Sequence, residues 1–101
     1  MKKYNKLVRD RIPEIIKAKG EEAVTHIAGK KEFWAKLKEK LIEEAEEFSR
    51  EENEGEIADI LEVIDAIIEH KKFSKENIAE VKEKKAIERG RFLNKTILEE
   101  S

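Results

Sequence analysis

The chain has 101 residues, 46% of them charged, yet 22 basic against 24 acidic side chains leave a net charge of only −2. That length fits a single domain over residues 1–101, and the near balance of charge gives no sign of nucleic-acid binding. The absence of cysteine excludes a disulfide framework and a thiolate metal site. No signal-like apolar region or bilayer-length apolar run is visible, so the expectation is a soluble cytoplasmic protein with no membrane partner. A chain this small buries a modest core, which makes a partner subunit a reasonable expectation.

In chain order, residues 10–19 (DRIPEIIKAK) read as a short first helix. Asp10 is the candidate N-cap, Pro13 falls in the tolerated first turn, and Gly20 stops the helix. The following EEAVTHIAG lacks a helical period and suits an extended segment. Residues 30–52 form a long second helix, with Phe33, Trp34, Leu37, Leu41, Ala45 and Phe48 at helical spacing, until Asn53 and Gly55 break it. Residues 55–71 form a third, with Ile57, Ile60, Leu61, Ile64, Ile67 and Ile68 as its apolar face. Ser74 caps a fourth over 75–89, a simple cap because Asn77 stands where a capping box wants Glu or Gln, and Gly90 ends it. The final RFLNKTILEES alternates weakly and suits an extended arm.

Four acids stand out: Glu44 and Glu47 on the second helix, Glu56 and Asp59 at the start of the third. Each pair has i, i+3 spacing and shares a helix face. With Phe33 at zero and ~100° per residue, Leu37, Phe48, Leu41 and Ala45 fall between roughly 40° and 120°. Glu44 falls near ~20°, inside the stripe, and Glu47 about 60° away on its flank. With Glu56 at zero, the isoleucines of the third helix lie between roughly 20° and 120°, and Asp59 about 60° beyond Glu56 on the other side. All four acids therefore line one border of both apolar faces. If the helices fold back as a hairpin, these carboxylates converge near its closed end.

Such convergence is costly for stability alone. Partial burial and like-charge neighbours both disfavour an ionised carboxylate. Glu43, Glu44, Glu46 and Glu47 also oppose the macrodipole at a helix C-terminus, at a few tenths to ~1 kcal/mol each. Glu56 and Asp59 sit in an N-terminal turn, where acids are favoured anyway. A hard divalent cation offsets the clustering. Acidic runs of this kind also serve as solvated helix faces, and the second, matching pair is what favours a metal site.

Glu43-Glu44-Ala45-Glu46-Glu47 followed by Glu56-Ile57-Ala58-Asp59 resembles the E-E-x-x-E and E-x-x-D signature of the all-α nucleoside triphosphate pyrophosphohydrolases, the MazG-like superfamily. The blocks KLVRDRIPEII, ADILEVIDAI and ERGRF are similar to a small house-cleaning branch of that superfamily. The connection between the acidic helices is shorter than in some relatives. The resemblance implies cleavage between the α- and β-phosphates of a nucleoside triphosphate, non-canonical by the branch, giving monophosphate and pyrophosphate. It implies Mg²⁺, with Mn²⁺ as a substitute, held by Glu44, Glu47, Glu56 and Asp59. Glu43 and Glu44 are the catalytic carboxylates by the same carry-over. Glu43 points away from the others on the wheel, so it serves a second ion, polarises the water, or does neither.

Phosphate charge also calls for cations. Lys6, Arg9 and Arg11 lie in the N-terminal block, and Lys82, Lys85 and Arg89 share roughly one face of the fourth helix. Arg9, Lys85 and Arg89 are the substrate-binding candidates, against the ordinary role of solvated surface charges. Trp34 is a candidate for stacking on a base, although such a residue is more often core or subunit contact. His26 and His70 read as surface histidines. The expected architecture is all-α: an antiparallel hairpin with flanking helices, completed as a bundle by homodimer or homotetramer formation. The alternatives are a phosphoribosyl-ATP pyrophosphohydrolase and a non-enzymatic helical dimerisation module.

Overall fold

The computed structural model describes residues 2–101, and among them there is no strand. Four helices follow one another: α1 (Ile12–Ala18), α2 (Lys30–Arg50), α3 (Glu54–Lys71) and α4 (Lys75–Arg89). The all-α expectation holds, and the elements lie close to their expected places.

The helix ends differ in instructive ways. Asp10 does not cap α1; Arg11 occupies the cap position and no side chain bonds there. Its first-turn N–H groups are served locally instead, with the Ile12 N–H donating to Arg9 O at 3.1 Å. Gly20, at φ +81°, lies just beyond the helix as expected. Asn53 does more than end α2. Its side-chain oxygen accepts from the Glu56 N–H at 3.1 Å, so it starts α3, and Gly55 lies inside that first turn rather than breaking a helix. Ser74 caps α4 as read from the sequence, accepting from the Asn77 N–H at 3.1 Å. Between 21 and 29, and from 90 onward, the chain is irregular apart from a turn near 92–94.

α2 and α3 pack together as an antiparallel hairpin closed by residues 51–53, and no other helix pair packs to a comparable extent. Leu37 is fully buried and Val63 nearly so. Four members of the expected apolar faces are not where the wheel put them. Ala45 is exposed, and so are Ile57, Leu61 and Ile64, whereas Val63 takes the central position. The reason is a rotation of α3. Val63 lies about 20° before Glu56 on the wheel, so the face turned toward α2 is centred near Glu56 rather than near the middle of the isoleucine stripe. The border carrying the acids therefore faces α2, and the far flank of the stripe faces outward.

Candidate metal centre

The rotation of α3 brings the acids together. One carboxylate oxygen from each of Glu44, Glu56 and Asp59 lies within 4.8 Å of the others. Oxygens around a single Mg²⁺ or Ca²⁺ are separated by roughly 3–5 Å, given metal–oxygen distances of ~2.0–2.6 Å. The donors are all hard oxygens, which matches the same ions. Glu44 is the one buried charged residue among those described, and Glu56 and Asp59 are half-buried.

The chain's own cations surround this group. Lys40 lies 3.1 Å from Glu44 Oε1 and 3.4 Å from Glu43 Oε2, with only 16% of its side chain exposed. Arg9 donates to Asp59 Oδ1 at 2.8 Å and lies 3.7 Å from Glu62. Lys6 donates to Glu43 at 2.9 Å. The N-terminal segment is thus pinned across the hairpin, Lys6 to α2 and Arg9 to α3. Glu56 alone of the three has no ammonium or guanidinium within ion-pair distance among the described residues.

The titration behaviour follows this inequality. Desolvation, then the charges of Glu47 and Asp59, pushes the Glu56 carboxyl above the ordinary glutamate value. Desolvation pushes Glu43 the same way, but the Lys6 hydrogen bond and the Lys40 charge outweigh it and hold Glu43 below that value. The Glu43 hydrogen bond in turn raises Lys6.

The other sequence-derived candidates fall as follows. Glu47 is outside the close group; its carboxylate accepts from Arg50 at 3.2 Å, although its charge is felt by Glu56. Glu43 points to Lys6 and Lys40 rather than into the group. Arg9 is at the site. Arg11 is engaged locally with Glu14 at 3.3 Å. Trp34 stands ten residues before Glu44 on α2, about 15 Å along the axis, at the open end of the hairpin. There it stacks on His70 at 5.6 Å, with Lys38 and Lys71 over its ring at 5.3 and 4.8 Å. His70 is therefore no free surface histidine: it also meets Phe33 edge-on at 5.2 Å. His26 is exposed beside Glu32, at 3.0 Å. Lys82, Lys85 and Arg89 lie on α4, which does not pack along the hairpin, and they pair with no acid among the described residues. Lys40 was missed from the sequence, though its signal was there. It precedes Glu44 by one helical turn and falls about 40° from it on the wheel.

No family model matches this chain, and no solved structure does. A protein of Mycolicibacterium smegmatis, described as uncharacterized, is 51% identical over 41 residues, which are 41% of this chain and 42% of that protein. The match thus spans well under half of either protein. No helix among the described residues is long and apolar enough to cross a membrane.

Proposed function

We propose that the chain is a Mg²⁺-dependent nucleoside triphosphate pyrophosphohydrolase that cleaves the α–β phosphate bond, with non-canonical nucleotides as its substrate class and a second copy completing its helical bundle. The observation that carries this reading is the convergence of Glu44, Glu56 and Asp59. It unites Glu44 of the E-E-x-x-E motif with both acids of the E-x-x-D motif across two helices. A stability-driven surface has no reason to place three carboxylates together and leave one of them uncompensated.

Glu44, Glu56 and Asp59 would hold the ion, with Glu47 as a further donor once its carboxylate leaves Arg50. When bound, Mg²⁺ would neutralise phosphate oxygens and help orient the attacking water. Lys40 fixes the direction of Glu44 and balances its charge in the half-dry hairpin. Arg9 is the cation best placed to meet a phosphate, because its fork already reaches Asp59 from the solvent side. Glu43, held by Lys6 and Lys40, is a carboxylate of lowered pKa and stands ionised at neutral pH beside the group.

One observation favours the non-enzymatic reading: Glu44 and Asp59 already have cationic partners within the chain. A panel of canonical and modified nucleoside triphosphates, scored for pyrophosphate release with and without Mg²⁺, separates the two. The enzyme reading expects Mg²⁺-dependent release on at least one triphosphate and its loss in Asp59→Asn. No release on any of them sinks it. Release from phosphoribosyl-ATP alone would move the substrate to that class.

A further inference from the structure

The chain by itself leaves far more surface open than a folded protein of its size. Its accessible area is 9468 Å², whereas an 11.8 kDa monomer is expected to expose about 5,900 Å². Its radius of gyration is 17.9 Å, against about 13 Å for a compact domain of this length. The surplus is at least as large as the ~1,000–2,500 Å² that each subunit of an obligate homodimer buries.

Much of the open area lies on the irregular segments, where Ile27 and Phe92 are almost fully exposed, and part of it lies on two helices. The outward flank of α3 carries Ile57, Leu61 and Ile64, at 42%, 55% and 36% exposure. α4 has no buried residue and does not pack along the hairpin. A helix of 15 residues standing free in water is only marginally stable, so α4 needs a surface to lie on. Its own apolar face is Ile78 and Val81, beside a shallow depression that Phe73 also lines. On the wheel, Lys82, Lys85 and Arg89 fall within about 40° of Ile78, and with Val81 the set spans about 100° of one face.

The two faces match when run antiparallel. Setting Val81 against Leu61 places Ile78 against Ile64, Lys85 against Ile57 and Arg89 beside Glu54. Two apolar pairs then meet, and the aliphatic stem of Lys85 covers Ile57. The unpaired basic end of α4 meets the acidic start of α3, where Glu51, Glu52 and Glu54 also lack basic partners among the described residues. Within one chain this pairing is not made. The αL residue Lys72, at φ +57°, and the Phe73 N–H bond to Ile68 O at 3.0 Å close α3, and α4 leaves without folding back along it.

We propose that the outward flank of α3 is the docking surface for α4 of a second copy of this chain, in a two-fold exchange where each α4 lies antiparallel on the other's α3. A two-fold arrangement uses both faces at once and leaves neither open to build filaments. The proposal specifies the subunit contact of the function proposed above but needs no metal and no turnover. Failure of the pyrophosphohydrolase reading therefore leaves it standing, and the reverse also holds.

The natural absence of cysteine allows a clean test. The full chain is sized by light scattering at micromolar concentration, and the pairs Leu61→Cys with Val81→Cys, and Ile64→Cys with Ile78→Cys, are oxidised and run without reductant. The expected results are a particle of twice 11.8 kDa and covalent dimers from both pairs, with little cross-linking from a control pair, Leu61→Cys with Ile87→Cys. A monomer of the unmodified chain overturns the proposal. So does a dimer that cross-links no better at the two designed pairs than at the control. A cross-link confined within one chain would show that α4 folds back on its own α3, and overturns it too. Circular dichroism of each variant checks that the helices are intact.

Discussion

The α2–α3 hairpin and α4 are both amphipathic, yet only one of them is packed. In the hairpin each helix turns a face toward the other, and that face includes charged groups: Glu44 is buried and Lys40 nearly so. In α4 the apolar residues remain open and the charges are ordinary surface charges. The difference teaches that the packed region is marked by buried charge as well as by apolar content. The hairpin accepts a carboxylate in its core; α4 leaves its apolar residues uncovered within its own chain.

The largest expected effect is in the hairpin core. Leu37→Ala removes the one fully buried large side chain among the described residues and should cost about 2–5 kcal/mol in denaturant unfolding. Ile87→Ala on α4, a site 76% exposed, should change stability by less than about 0.5 kcal/mol. If the two substitutions cost the same, the contrast between the regions is wrong.

Lys40→Met comes next. It strands the Glu44 carboxylate, whose side chain is 10% exposed, and should cost about 3 kcal/mol. Adding Glu44→Gln should restore most of that loss, and a double-mutant cycle measures the coupling.

The pH dependence sharpens the comparison inside the hairpin itself. Glu56 has a raised pKa, so the folded state holds its proton more tightly than the unfolded chain does. Its ionisation therefore removes stability as pH rises through and above the ordinary glutamate range. Glu43 has a lowered pKa, so its contribution is present above that range and is lost as pH falls through its folded value. In metal-free protein at neutral pH, Glu56→Gln should raise the melting temperature and Glu43→Gln should lower it. Both differences should shrink in acid, and thermal melts across that pH span read them directly.

Among the charged groups of the hairpin region, the smallest stability effect belongs to Arg9→Ala. Its pair with Asp59 is largely exposed and worth no more than about 1 kcal/mol. On a triphosphate substrate, however, the same change should raise KM well beyond what that stability loss explains.

Much of this was legible in the sequence because local rules governed it. The cap at Ser74, the four helices and the convergence of Glu44, Glu56 and Asp59 follow from spacing and side-chain chemistry, whereas Asn53 reads in the sequence only as a break and not as the cap of α3. The rotation of α3 was not legible. Its apolar stripe is wider than one partner helix can cover, and nothing local says which flank faces α2. That choice decided that Val63 is buried while Ile57 and Leu61 are open. The partners of the acids were hidden for a related reason. Arg9 and Asp59 are 50 residues apart in the chain, and only the tertiary path of the N-terminal segment joins them. Lys40 was hidden by its ordinary appearance in a lysine-rich helix, and Glu47, whose spacing matches, is drawn aside by Arg50, which the spacing does not show.

Isothermal titration of the metal-free protein with Mn²⁺ and Mg²⁺ tests the carboxylate site most directly. The account predicts saturable binding that disappears in Asp59→Asn and in Glu56→Gln, with Glu47→Gln weakening it less. Binding that is absent from the unmodified protein, or unchanged by those two substitutions, would contradict it.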